Sequence, residues 1–170
     1  MKYGIDIGHN CPPADIGYVG IRKEDELNKE VGVCVMAKLK ELKHEVVYCT
    51  PSYDSSLSNS LYRRINKANQ ENVDYFVSIH FNGGCGHGTE VFAISKLGKK
   101  IAKRVVDEIA KLGYVNRGVK DGNFLYLLKN TKMPAILVEG GFLDSIYDME
   151  KYNVENIANA IVTGITTFEK

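Results

Sequence analysis

The chain carries almost no excess charge of one sign: 22 lysines and arginines stand against 21 aspartates and glutamates, a formal net charge of +1. Binding a phosphate backbone needs a strong positive excess on one face, so this balance argues against nucleic acid as a partner. It also leaves little to hold the protein on an anionic membrane surface. Long apolar runs are absent too. The opening MKYGIDIGHN has one lysine and a short apolar stretch broken by Asp6 and Gly8. A secretory leader needs a longer apolar core, and a membrane span needs about 18 or more apolar residues. Neither is expected here. The four cysteines, Cys11, Cys34, Cys49 and Cys85, are far apart and form no CxxC pair. Free, mostly buried thiols are expected rather than a disulfide framework. No repeat, low-complexity segment or linker divides the 170 residues. A chain of that length forms one domain that buries about 70% of its unfolded surface.

What is present is periodicity. Apolar residues recur every three or four positions at Leu27, Val31, Val35, Leu39 and Leu42, and again at Leu57, Leu61, Ile65 and Ala68. The same spacing runs through Leu97, Ile101, Val105, Ile109 and Leu112, with Gly113 as a C-terminal cap, and through Val154, Ile157, Ile161, Ile165 and Phe168. These predict helices. Short runs rich in β-branched and aromatic residues predict strands at Tyr3 to Ile7, Val46 to Cys49, Tyr75 to Ile79, Thr89 to Ile94 and Ala135 to Val138. The polar, serine-rich stretch from Pro51 to Ser60 reads as a surface loop leading into a helix. Strands alternating with helices imply an α/β fold: a single domain with a mostly parallel twisted sheet and helices on both faces.

Three predicted strands end on residues able to bind a metal or move a proton. The first runs into Gly8-His9, the third into His80 and the last into Glu139. In an open parallel sheet, ligands gather beyond the carboxyl ends of the strands. A single strand-end histidine is more often a hydrogen-bonded loop residue than a ligand, but three such groups together point to a site. Catalytic zinc usually takes three protein ligands and leaves a position for water. The acidic run Glu24-Asp25-Glu26 precedes the first helix, where carboxylates are favoured by the helix dipole alone. Spacing does not say which of the three, if any, is a ligand.

The motifs resemble those of the N-acetylmuramoyl-L-alanine amidase family of zinc hydrolases along the whole chain. They are, in order, IDIGHN (Ile5 to Asn10), EDELN (Glu24 to Asn28), SIHFN (Ser78 to Asn82), GTEV (Gly88 to Val91), the Asn-Arg-Gly-Val segment (Asn116 to Val119) and PAILVEGGFL (Pro134 to Leu143). The resemblance implies one zinc amidase catalytic domain over 1–170, with Zn2+ held by His9, Glu24 and His80 and with Glu139 as catalytic acid/base. It implies hydrolysis of the amide joining N-acetylmuramic acid to L-alanine in peptidoglycan. Ile7 and Asn10 stand where the family commonly has proline and glycine, and Gly140 where threonine or serine is usual. These departures remove no ligand and bear on substrate preference.

Arg117 and Asn82 are expected to contact substrate; a guanidinium suits a substrate carboxylate, although fixing a loop is an equal use for Arg117. Cys85 and His87 could pair with His9 and Cys11 around a structural zinc, but one intervening residue in each pair is tighter than the usual spacing. His44 reads as a surface residue. The other functional readings are a zinc carboxypeptidase-type hydrolase of wall peptides and a non-catalytic wall-binding module. Without a signal peptide, a monomer made in the cytoplasm is expected, acting at the cell wall after release or export in the manner of an endolysin or autolysin. Only the five residues Gly83 to His87 separate SIHFN from GTEV. That is too short for a covering helix and glycine-rich enough to be flexible, so the zinc face is expected to be open.

Overall fold

A computed structural model describes residues 1–167. Phe168, assigned above to the last helix, lies outside the described residues. The elements in chain order are β1 (Lys2–Ile7), α1 (Glu24–Glu41), β2 (Glu45–Tyr48), α2 (Leu57–Gln70), β3 (Tyr75–Asn82), β4 (Thr89–Ala93), α3 (Lys96–Ala110), β5 (Asn116–Asp121), α4 (Tyr126–Asn130), β6 (Ala135–Phe142), α5 (Ile146–Met149) and α6 (Val154–Thr166). The strands form one six-stranded sheet ordered β2-β1-β3-β6-β4-β5. Every pairing is parallel except β4 with β6, which is antiparallel.

The apolar stripes seen in the sequence become the two faces of the core. Leu27, Val31, Val35 and Leu39 of α1, Ile101, Val105 and Ile109 of α3, and Ile157, Ile161 and Ile165 of α6 bury against Tyr3, Ile5, Val77, Ile79 and Val138 of the sheet. On the other face, Ile65 and Ala68 of α2 and Leu127 and Leu128 of α4 cover Phe76, Ala135 and Leu137. The central strands are buried on both sides, as a parallel sheet between helical layers requires. Local signals set the helix starts. The side chains of Ser56, Ser95 and Asn153 accept from the backbone N–H groups of Asn59, Gly98 and Asn156, which satisfies donors left open in the first turn. Gly113 reverses the chain after α3 at φ 97°, a conformation that favours glycine. Among the described residues, no helix is long and apolar enough to cross a membrane.

Three features depart from the expectation. Leu42 and Leu112 fall just beyond the ends of α1 and α3. The polar β5 and the short α4 and α5 have too little apolar periodicity to show in sequence. Finally, β3 and β6 run on through His80 and Glu139, which are register partners inside paired strands rather than residues just past them.

A buried polar network joins β1, β3 and α2 beneath the sheet's carboxyl edge. Asp6 (0% exposed) and Ser78 are register neighbours, and Ser78 donates to Asp6 Oδ2 at 2.7 Å. Arg64 of α2, 1% exposed, reaches Asp6 Oδ1 at 2.6 Å with one terminal nitrogen and Asp15 Oδ2 at 2.9 Å with the other. It also donates to the carbonyls of Ile7 and His9. Two buried carboxylates therefore share one buried cation, and removing that cation leaves both uncompensated. Arg64→Met is expected to lower the unfolding free energy by about 3–5 kcal/mol in urea denaturation; a loss under about 1 kcal/mol would show that the network contributes little.

Candidate functional site

The site begins where β1 ends. Gly8 stays beside β3 through its N–H to the Ile79 carbonyl, at 2.9 Å. His9 and Asn10 then turn in the left-handed region at φ 54° and 53°, which is costly for residues with side chains. Local bonds hold the turn. Asn10 N donates to Asp25 Oδ1 at 2.9 Å, and Asn10 Nδ2 donates to the carbonyls of Gly8 and Asp25. The His80 ring lies flat against Gly8, where any Cβ would stand 2.3 Å from the imidazole. This absence of a side chain lets the rings of His9 and His80 approach edge to face, with centroids 4.9 Å apart.

The structure separates the three acids at the start of α1. Glu26 is exposed near Arg22 and Lys23. Asp25 accepts from the backbone of Asn10 and Gly17, and so pins the loop. Glu24, 5% exposed, turns inward: its Oε1 lies 3.3 Å from His9 Nε2 and 3.1 Å from His80 Nδ1. Asn28, one helical turn on, donates to Glu24 Oε1 at 3.4 Å and to the Gly8 carbonyl at 3.1 Å. The ligand atoms of His9, Glu24 and His80 all lie within 4.8 Å of one another, the only such group of three or more His, Cys, Asp or Glu among the described residues. The alternative of Cys11, Cys85 and His87 around a structural metal is therefore not assembled. Cys11 is buried, Cys85 exposed, and all four thiols are free.

Beside this cluster the sheet presents a row of groups. His80 on β3 pairs with Glu139 on β6, and Glu139 pairs with Glu90 on β4. Because β4 runs antiparallel to β6, its beginning rather than its end lies at the site. Glu90 Oε2 accepts from Arg117 Nε at 2.7 Å and Oε1 from Asn82 Nδ2 at 3.1 Å. Asn82 Oδ1 in turn accepts from Gly83 N. Both residues expected to touch substrate thus stand against Glu90. Arg117 also lies 5.0 Å over the Phe142 ring and keeps 37% of its side chain exposed. Asp15 carries no weight in the sequence reading, and Glu90 enters it only as part of the GTEV motif, with no role of its own. A charged residue inside a predicted strand, between Thr89 and Val91, was the available signal for Glu90; for Asp15, in a proline-containing loop, there was none.

The electrostatics favour a cation. Burial opposes charge on His9, but its hydrogen bonds to Asp15 and Glu24 outweigh it and push the imidazole pKa up to about 10. Burial likewise works against the Glu24 carboxylate, yet bonds to His80 and His9 hold it well below the usual range. Glu139 has no such support. Burial, with the charges of Glu24 and Glu90 nearby, drives its pKa well above that of an ordinary glutamate. Its Oε2 and the Nε2 of His80 are buried without a hydrogen-bond partner. Two imidazoles and a carboxylate, with partnerless polar atoms around them, are a donor set that fits a divalent metal such as zinc.

No helix lies between β3 and β4. The glycine-rich segment is nonetheless tied down: Gly84 N and Cys85 N donate to Asp144 Oδ2, and Gly88 N donates to Asp148 Oδ2. The loop from Cys11 to Lys23 is held too, by Tyr18 N to Glu24 Oε2 and Ile21 N to the Leu143 carbonyl. His9 keeps 29% of its side chain in solvent. His87 is exposed near Tyr147, and His44 packs edge-on to Tyr3 near the amino end of β1, away from the cluster.

Comparison with known proteins gives these features a family. A family model described as N-acetylmuramoyl-L-alanine amidase matches residues 4–168. The N-acetylmuramoyl-L-alanine amidase CwlM of Bacillus licheniformis is 32% identical over 168 residues, covering 96% of this chain and 65% of that protein. The chain spans about half the length of two other curated relatives, both from Clostridium perfringens (47% and 46%). Among solved structures, the catalytic domain of the CD27L endolysin targeting Clostridia difficile superposes with a TM-score of 0.89 at 28% identity, over 97% of this chain and 96% of that one. The catalytic domain of CwlV, an N-acetylmuramoyl-L-alanine amidase from Bacillus (Paenibacillus) polymyxa var. colistinus, gives 0.85 at 30% identity, over 99% and 97%. The chain, in its six-stranded α/β fold as in its ordered motifs, belongs to the N-acetylmuramoyl-L-alanine amidase family.

Proposed function

We propose that this chain is a zinc-dependent amidase that hydrolyses the bond between N-acetylmuramic acid and L-alanine in peptidoglycan. The observation that carries this reading is the convergence of His9, Glu24 and His80 beside Glu139, whose Oε2 is buried without a hydrogen-bond partner, in a member of this family. His9, Glu24 and His80 would hold the metal. When bound, zinc supplies a Lewis acid that polarises a carbonyl and brings the pKa of a coordinated water to about 7. The rest falls to the chain. Glu139 is fixed in a strand beside His80, and burial raises its proton affinity, which suits a group that must both take and give a proton near neutral pH. It takes the proton of the attacking water as oxygen adds to the amide carbon. It then delivers that proton to the departing alanine nitrogen as the C–N bond breaks. Glu90, held by Arg117 and Asn82, flanks Glu139 on the side away from His80. Arg117, partly exposed, is assigned to a carboxylate of the stem peptide; Asn82 contributes by fixing Glu90 and Gly83. A non-catalytic wall-binding module would have no use for a buried carboxylate oxygen without a partner, which costs stability.

Incubation of the purified protein with cell walls is expected to free L-alanine amino termini on intact stem peptides; release of single amino acids instead would mark a carboxypeptidase. Glu139→Gln should cut this activity by about 10²–10⁴-fold with zinc content unchanged, and wild-type rates in that variant would remove Glu139 from the chemistry. No partner protein should be needed, because no helix separates β3 from β4. Chelation is expected to inactivate the enzyme and added zinc to restore it.

The metal-free site also has a proton signature. His9, with a pKa pushed up to about 10, carries a proton at neutral pH that a metal must displace. Zinc binding at pH 7 should therefore release a proton, and apparent affinity should weaken as pH falls. Calorimetry in buffers of different ionisation enthalpy reads this directly. A binding heat independent of buffer would contradict it.

A further inference from the structure

We infer that Asp15 is a positioning residue of the metal centre: it fixes the orientation of His9, so that Nε2 is the nitrogen offered to the metal, and Ser60 and Arg64 hold it in place. This rests on the metal-binding reading above. Asp15 is 3% exposed and lies six residues beyond His9 in a loop that no sequence motif marks. Its Oδ1 is 2.9 Å from His9 Nδ1, while His9 Nε2, on the far side of the ring, points to Glu24 at 3.3 Å. A carboxylate only accepts, so Nδ1 directs a hydrogen at Asp15; Nε2 faces Glu24, itself one of the proposed ligands, and is the nitrogen whose proton a metal would replace.

The other oxygen of Asp15 is equally committed. Ser60 donates to Oδ2 at 2.7 Å and Arg64 at 2.9 Å, and Arg64 Nε braces the Ser60 hydroxyl at 3.2 Å. Ser60 and Arg64 are one helical turn apart on α2, and both are buried. Backbone bonds between Cys11 and Asp15, 3.1 Å in each direction, set the loop on which the carboxylate rides. A residue that only stapled this loop to α2 would be satisfied by Ser60 and Arg64 alone. Asp15 instead spends its second oxygen on the ring of a partly exposed histidine that belongs to the cluster. Groups that hold a metal-bound histidine in this way set its tautomer and strengthen it as a ligand.

The test compares wild type, Asp15→Asn and Ser60→Ala. Zinc affinity is measured by competition with a chromophoric chelator, the His9 ring nitrogens are read by 15N NMR, and urea denaturation confirms the fold. Asp15→Asn is expected to weaken zinc binding by about 10–100-fold, and Ser60→Ala by a smaller factor in the same direction. Zinc-loaded wild type should show a protonated Nδ1 and a metal-bound Nε2 on His9. Metal bound through Nδ1 in wild type overturns the inference without any variant, so it stays testable even if Asp15→Asn fails to fold. So does a folded Asp15→Asn that binds zinc as tightly as wild type. A wild-type protein that binds no zinc overturns the metal reading itself, and this inference with it.

Discussion

The structure turns on one buried guanidinium. Arg64 sits where the first strand, the second helix and the loop after His9 meet, and it bonds a group on each. A cation this deeply buried is tolerated only because two carboxylates, Asp6 and Asp15, surround it, and neither carboxylate would be tolerated without it. That mutual dependence leaves few ways to close the carboxyl edge of β1. The strained turn at His9 and Asn10 is anchored on one side by Arg64, through the carbonyls of Ile7 and His9. On the other side Asp25 and Asn28 reach it from the first turns of α1.

The cluster built on this frame has more negative than positive partners. Glu24, Glu139 and Glu90 lie around two imidazoles, and Arg117 and Lys120 both face Glu90. Burial, with the charges of Glu24 and Glu90 nearby, pushes Glu139 toward its neutral form, while at His9 the hydrogen bonds to Asp15 and Glu24 outweigh burial and favour a bound proton. A dication among these groups relieves both tendencies, since it replaces the proton on His9 and favours the charged form of the carboxylate beside it.

Much of this was legible in the sequence, for identifiable reasons. The apolar stripes of α1, α2, α3 and α6 and the β-branched runs of the buried strands are read directly from periodicity, because burial imposes it. The placement of His9, His80 and Glu139 at one edge followed from apolar runs that lead into them, although β3 and β6 continue through His80 and Glu139. Which of Glu24, Asp25 and Glu26 turns inward did not follow from spacing, because helix dipole and surface charge favour all three alike; the resemblance singled out Glu24, and only its contacts set it apart. Adjacent Arg63 and Arg64 look equivalent in sequence. Yet one is exposed and bonds Asp54, while the other is buried against Asp6 and Asp15. β5 escaped notice because its NRGVKD sequence packs along an edge and alternates weakly, with no fully buried position.

His80, Glu139 and Glu90 stand on three adjacent strands as neighbours in register. Strands in a sheet are held about 4.8 Å apart by their hydrogen bonds, whatever side chains they carry. The span between the proposed ligand and the proposed proton carrier is thus a constant of the peptide backbone, a ruler that substitution cannot stretch. The loops around the edge decide what may approach, while the backbone spacing of these two positions stays as the sheet sets it.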